Sequence, residues 1–132
     1  MGSFLTMAGC ADEGTRQAPP DDPLASGRVS YEAYCMSCHG AEGKGDGEIA
    51  MAGDLAVLPS DLTRLSADND GVFPLDEVYQ TIDGRRVVEG HGSRDMPIWG
   101  NIWSDKDGQP VKEEIVQQRI NELVEYIRSL QE

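Results

Sequence analysis

Cys35-Met36-Ser37-Cys38-His39 places two thiols and an imidazole within five consecutive residues. Two cysteines separated by two residues and followed at once by a histidine form the pattern that attaches c-type haem. The thiols add across the two vinyl groups of the porphyrin and become thioethers, and the spacing lets one turn of chain span the edge of the macrocycle. The histidine then lies under the iron and supplies a neutral imidazole. The motif therefore predicts a covalent haem held by Cys35 and Cys38, with His39 as an iron ligand.

Two other interpretations of the motif have less support in the rest of the sequence. A thioredoxin-like redox pair needs a βαβ pattern around it, and the sequence does not show one. A structural zinc site needs two further Cys or His ligands at suitable spacing, and only Cys10 and His91 remain. Such a site would bind zinc and give no visible spectrum.

The composition is that of one acidic domain. The 132 residues carry a formal net charge of −13, which argues against nucleic acid as a partner. Between positions 42 and 83 only Lys44 and Arg64 are basic, whereas ten residues are acidic: Glu42, Asp46, Glu48, Asp54, Asp61, Asp68, Asp70, Asp76, Glu77 and Asp83. This acidic run is either a solvated surface that keeps the protein soluble or a surface that steers it to a basic docking patch on a redox partner.

The first 25 residues are predicted to lie outside the folded domain, which spans 26–132. Residues 4–10 form a short apolar run that ends in two small residues and a cysteine, and this looks like the end of a bacterial lipoprotein signal, whose cysteine becomes lipidated. The alternative is a truncated signal remnant. Residues 11–23 contain three prolines and four acidic residues, which predicts a disordered linker. With Cys10 lipidated, this linker would hold the folded domain off a membrane surface, and no stretch approaches the length of a transmembrane helix.

Apolar spacing and end signals predict an all-α domain of short helices and long loops. Gly27 on the first helix allows another helix to approach closely, and the most periodic helix is the last, over 111–131. A short helix is predicted after Pro59, with Ser60 as its N-cap. The Gly-rich loop over 40–53 is expected to use positive φ angles and a close approach of its backbone to the haem.

Met96, which precedes Pro97, is the best candidate for the second iron ligand. A thioether is a soft ligand that favours Fe(II) and raises the reduction potential. Met96 lies far enough beyond His39 for the chain to pass round the ring to its opposite face. The alternative is that Met96 is only a core methionine and does not bind the iron. Met51 follows His39 too soon for an easy crossing, although a Gly-rich loop makes it possible, and His91 could ligate if its loop rearranged.

Aromatic and basic residues gather in the second half of the chain. Trp99 and Trp103 are expected to wall the haem, with indole N–H groups that could reach its propionates. Arg85, Arg86 and Arg94 are the only basic cluster beside the presumed site. They either offset the charge of the propionates or are simply exposed.

Taken together, these features resemble the class I cytochromes c, specifically the small bacterial monohaem ones. The resemblance covers about 26–131. Besides the haem motif, it rests on Gly27-x-x-x-Tyr31, Gly43-Lys44-Gly45-Asp46-Gly47, Met96-Pro97 and Tyr126-Ile127-x-x-Leu130. The stretch from Gly90 to Gly100 also looks like that of exported proteobacterial cytochromes c. The resemblance implies an all-α class I cytochrome c fold with crossed N- and C-terminal helices around one covalent haem c.

The resemblance also implies a location on the periplasmic side of a bacterial membrane, where Cys10 would provide a lipid anchor. With His39 and Met96 both on the iron, substrate has no ready binding site, so we expect electron transfer in a respiratory or dehydrogenase chain and no enzyme activity. The protein would be a monomer or a subunit of a respiratory complex, with redox proteins as partners. The alternative is a haem enzyme or gas-sensing module in which Met96 is displaced, and an open five-coordinate iron would distinguish it.

Overall fold

The computed structural model describes residues 21–86 and 94–132, so Cys10 and His91 lie outside the described part of the chain. This part is mostly helical, which confirms the expected helical class. Its elements in chain order are α1 (Ala25–Tyr34), α2 (Met36–His39), α3 (Glu48–Met51), two 3-10 turns (Leu62–Arg64 and Ala67–Asn69), α4 (Leu75–Asp83), α5 (Trp99–Trp103), an antiparallel pair β1 (Asp105–Lys106) and β2 (Gln109–Pro110), and α6 (Glu113–Ser129). None of the helices in these two ranges combines the length and apolarity that crossing a membrane requires.

Helix α6 forms the centre of the hydrophobic core. Its buried apolar residues recur every one to four positions along a single face: Val116, Ile120, Leu123, Val124 and Ile127. They share one cluster with Val78 and Ile82 of α4 and with Tyr31 of α1. The helix therefore supports both α1, which leads into the haem motif, and α4, which precedes the loop that holds Met96.

Helix α1 packs against α6 at Gly27. A Cβ atom placed on Gly27 would overlap the carbonyl oxygen of Glu122 and would lie 2.9 Å from the Cβ atom of Tyr126. One turn further along α1, the ring of Tyr31 meets that of Tyr126 with a centroid distance of 5.3 Å. The predicted close approach of a second helix at Gly27 is confirmed, and its partner is α6.

The chain that follows His39 folds back onto the haem motif through backbone contacts. The N–H of Gly45 donates to the carbonyl of His39 at 2.8 Å, and the N–H of Gly47 donates to the carbonyl of Cys38 at 3.1 Å. Gly45 has a φ of +81°, and a side chain at Gly47 would run into the carbonyl of Cys38. Glycine at these two positions lets the loop lie against the motif.

The phenol of Tyr31 closes the same loop from the interior. Its side chain is fully buried, and Oη donates a hydrogen bond of 2.6 Å to the carbonyl of Gly40. Burial raises the pKa of Tyr31 above its usual value, so the hydroxyl keeps its proton and remains a donor. The bond joins α1 directly to the residue that follows His39.

The prediction that Ser60 caps the helix after Pro59 is wrong. Asp61 is the N-cap of a short 3-10 turn, and its Oδ1 accepts from the N–H of Thr63 at 2.9 Å and from the Thr63 hydroxyl at 2.6 Å. These bonds favour the charged carboxylate and hold the pKa of Asp61 below its usual value. Ser and Asp are favoured at N-caps to nearly the same degree, so the sequence does not show which of two adjacent residues is the cap.

Gly27→Ala tests the contact between α1 and α6. Alanine in an open helix position would stabilise the protein by about 1 kcal/mol relative to glycine. Here the added methyl group meets backbone, so we expect a loss of about 2 to 3 kcal/mol in the free energy of unfolding. Urea unfolding of the haem-loaded protein measures the change. Ser26→Ala at the exposed neighbouring position is the control and should change stability by less than about 0.5 kcal/mol. An increase in stability in Gly27→Ala would contradict the contact.

Tyr31→Phe tests the buried bond to Gly40. Removal of the hydroxyl should lower the free energy of unfolding by about 1 to 2 kcal/mol, because a buried hydrogen bond is lost with little change in volume. Tyr79→Phe provides a matched control, since the Tyr79 hydroxyl makes no hydrogen bond within the described residues. Equal effects of the two substitutions in urea unfolding would show that the bond to Gly40 contributes nothing specific.

Candidate haem-binding site

One cavity brings together the four side chains that the sequence singled out. Its volume is about 610 Å³, and Cys35, Cys38, His39 and Met96 all line it. The remaining wall is largely apolar and comes from the loop before the first 3-10 turn, from α4 and from α5. Pockets of this size and character hold small organic ligands in proteins. Residues nearly sixty positions apart therefore face a single space.

The two cysteines lie at the junction between α1 and α2. Cys35 follows the last residue of α1, and its N–H donates to the carbonyl of Tyr31 at 2.8 Å. Cys35 is buried and Cys38 half-buried, and both are free thiols. Burial raises the pKa of Cys35 to about 12, so this side chain is a neutral thiol at physiological pH. Because α2 is a single turn, both sulfur atoms reach the same cavity.

His39 is the last residue of α2, and its ring contacts the backbone just before the first 3-10 turn. Its Nδ1 lies 3.3 Å from the carbonyl oxygen of Ser60. A proton on Nδ1 donates to this carbonyl and leaves the lone pair of Nε2 available to a metal. Burial lowers the pKa of His39, with the Ser60 contact opposing in part, which favours the neutral imidazole, the form that can bind a metal. This part played by Ser60 could not be predicted from sequence, because the contributing atom belongs to the backbone.

Met96 lies in the segment before α5, and its side chain is half-buried at the cavity. The two residues before it make hydrogen bonds that hold this segment. Arg94 Nε donates to the carbonyl of Met96 at 2.7 Å, and Asp95 Oδ2 accepts from the N–H of Ala56 at 2.8 Å. Met51, the competing methionine, is 73% exposed and does not line the cavity. The other candidate ligand, His91, lies outside the described residues.

The three arginines do not act as one cluster. Arg85 Nε lies 2.6 Å from Asp83 Oδ1 and its Nη2 lies 2.7 Å from Glu113 Oε1, so it joins the end of α4 to the start of α6. Both carboxylates raise the pKa of Arg85. Arg86 is exposed. Of the three, Arg94 alone lines the cavity, so the expected basic cluster at the site reduces to one residue.

Aromatic side chains form one wall of the cavity in two layers. Trp99 and Tyr34 line it, with their rings 5.3 Å apart. Trp103 stacks behind Trp99 at 5.1 Å and does not line the cavity, so the expectation that both tryptophans wall the site holds only for Trp99. The indole Nε1 of Trp103 is buried without a hydrogen-bond partner among the described residues, and Arg119 lies over its ring at 5.3 Å.

The donors around the cavity suit haem c and do not suit a structural metal ion. Two thiols, an imidazole and a thioether surround an apolar space, and this is the set that covalent haem with two axial ligands needs. Within residues 21–86 and 94–132, no three side chains of His, Cys, Asp or Glu are grouped so that they could hold a metal ion. The zinc interpretation therefore has no site in the described part of the chain.

Comparison with known proteins identifies the family. Residues 22–127 match the family model described as "Cytochrome C oxidase, cbb3-type, subunit III". No curated protein and no solved structure matches the chain. The matched range contains the haem motif, the Met96 loop and nearly all of α6, and domains of this family bind haem c and transfer electrons. The chain is thus a small c-type cytochrome and belongs to the family named for subunit III of cbb3-type cytochrome c oxidase.

Proposed function

We propose that residues 26–132 are a class I cytochrome c domain that carries one covalent haem c and passes single electrons between protein partners. The observation that carries this proposal is the lining of a single apolar cavity by Cys35, Cys38, His39 and Met96. When bound, the haem supplies an iron that takes up and releases one electron. The chain supplies attachment, ligation and exclusion of water.

Each of the four residues has a distinct role in the proposed site. The sulfur atoms of Cys35 and Cys38 hold the porphyrin edge at the junction of α1 and α2. His39 would hold the iron through Nε2 while the Ser60 carbonyl keeps its ring in place. Met96 would supply the second iron ligand, and its thioether would raise the reduction potential. Two protein ligands leave no open position on the iron, so we propose an electron carrier and no enzyme activity.

The packing of the terminal helices supports the class I cytochrome c fold. Helix α1 touches α6 at Gly27 closely enough to exclude a side chain. We propose that this contact is the crossing of the N- and C-terminal helices that the fold class implies. The residues before α1 are then a tether outside the domain, and lipidation of Cys10 would hold the domain on the periplasmic side of a bacterial membrane.

The charges around the cavity favour a redox partner with a basic docking surface. Asp68, Glu77 and Asp95 are acidic residues in its lining, against Arg94. The two basic residues of the acidic run are paired, Lys44 with Glu132 at 2.6 Å and Arg64 with Asp68 at 3.8 Å. Arg94 and the Arg64 beside Asp68 offset this charge only in part, so the lining keeps a net negative charge that would accelerate association with a basic surface.

A fixed place in a respiratory complex is the second arrangement that we consider. The printed name of the family refers to a subunit of an oxidase. The site chemistry would be the same in that arrangement, and only the permanence of the interface would differ. Salt sensitivity of electron transfer separates the two, because a shuttle must find its partner anew at each turnover whereas a fixed subunit need not.

The test of the proposed function is the optical spectrum of protein matured with the c-type haem assembly machinery. We expect haem that remains attached after denaturation, a sharp reduced α band, a weak red band in the oxidised state, and no shift with CO. Met96→Ala should abolish the red band and admit CO, because the thioether ligand is lost. Met51→Ala is the control and should leave both unchanged. CO binding to the unmodified protein would instead favour the gas sensor or enzyme.

Neutralisation of the cavity rim, meaning the exposed lining residues Asp68 and Glu77, tests the electrostatic steering. Asp68→Asn combined with Glu77→Gln should slow reduction by the cationic complex hexaammineruthenium(II) roughly threefold at low salt, and the difference should fade as salt is added. Glu114→Gln combined with Glu125→Gln removes the same charge from α6, where neither residue lines the cavity. Stopped-flow rates measure the effect. Equal slowing by the two pairs would show that net charge alone matters and that the rim does not steer.

A further inference from the structure

We propose that Arg94 is a positioning residue for Met96, which holds the backbone of the Met96–Pro97 loop and fastens it to the end of α4. The inference rests on the proposed ligation of iron by His39 and Met96. It assigns to Arg94 a role in how firmly the thioether stays on the iron, rather than in the charge of the haem.

The guanidinium of Arg94 makes three hydrogen bonds to backbone carbonyls. Nε donates to the carbonyl of Met96 at 2.7 Å, and Nη2 donates to that of Pro97 at 2.9 Å and to that of Thr81 at 2.7 Å. The first two acceptors belong to the ligand loop, and the third belongs to the last turn of α4. One planar fork therefore bridges the loop to a helix that is itself packed on α6.

The end of α4 is shaped to receive this guanidinium. Gly84 caps the helix with a φ of +70°, and a Cβ atom there would lie 3.0 Å from the Cζ of Arg94. The last carbonyls of a helix carry partial negative charge and attract a cation. Among the described residues Arg94 has no carboxylate partner within ion-pair distance. Its guanidinium donates instead to backbone carbonyls of the helix and the loop.

A second connection joins the same loop to a different segment of the fold. Asp95 Oδ2 accepts from the N–H of Ala56 at 2.8 Å and from the N–H of Val57 at 3.2 Å. The two residues before Met96 thus bind two different segments of the fold. Met96 has little backbone freedom left, so it loses little conformational entropy when its sulfur binds iron.

A competing role for Arg94 predicts a different result. Arg94 lines the cavity, so its charge could act on a haem propionate instead. In that case its removal would change the reduction potential without changing how readily Met96 leaves the iron. Affinity for an external ligand of the ferric iron distinguishes the two roles, because such a ligand binds only when the methionine has left.

The experiment titrates imidazole into the oxidised, haem-loaded protein and follows the weak red band. For Arg94→Gln we expect imidazole to bind on the order of tenfold more tightly than in the unmodified protein, because the hydrogen bonds that hold the loop are weakened. Arg94→Lys keeps the positive charge but loses the planar set of N–H donors. It should therefore show most of the same increase in imidazole affinity. Arg86→Gln removes the same charge from an exposed site without described partners and should bind imidazole as the unmodified protein does.

The outcomes separate this inference from the proposed function. Unchanged imidazole affinity in Arg94→Gln, with the red band present in the unmodified protein, overturns the positioning role and leaves Met96 ligation standing. A shifted midpoint potential with unchanged imidazole affinity also overturns it, in favour of the propionate. Absence of the red band from the unmodified protein overturns Met96 ligation, and the positioning role with it. If Arg94→Gln does not yield haem-loaded protein, Arg94→Lys decides by the same criteria.

Discussion

The packing of α6 against both α1 and α4 is the constraint on which the site depends. At Gly27 the absence of a side chain brings α1 onto α6, and α1 ends where Cys35 begins. Val78 and Ile82 bring α4 onto the same helix, and the end of α4 receives Arg94. The two halves of the proposed iron site are far apart in the chain, yet each is held by a helix that rests on α6. Their separation is therefore set by core packing and not by the loops that carry them.

The parts of this arrangement that follow from local chemistry could be read in the sequence. The five residues from Cys35 to His39 act within one helical turn, so their spacing alone carries the prediction. Gly27 was identifiable because a glycine on the apolar face of a helix makes sense only where another backbone approaches. The periodic apolar residues of α6 predicted the core helix. The observed helix begins two residues after, and ends two residues before, the limits of the predicted range.

Other features depend on contacts between distant segments and could not be predicted from the sequence. Arg94 donates to backbone carbonyls, and His39 likewise contacts the backbone carbonyl of Ser60. Every residue has a backbone carbonyl, so the sequence does not show which one will be the acceptor. Arginines 85, 86 and 94 looked like one group, but ion pairs with Asp83 and Glu113 take Arg85 to a different place. Trp103 lies behind Trp99 because α5 presents the two on one face, and a spacing of four residues does not say which is nearer the cavity.

The stacked pair of tryptophans has a practical consequence. The sequence contains two tryptophans, and both belong to this one stack, 5.1 Å apart at the wall of the cavity. All indole fluorescence of the chain therefore originates at the edge of the proposed haem, where energy transfer to the porphyrin quenches emission. Emission from a preparation would report the fraction of molecules without haem, with no background from tryptophan elsewhere. On unfolding, a covalently bound haem would stay with the chain, so recovery of emission would follow the separation of α5 from the porphyrin.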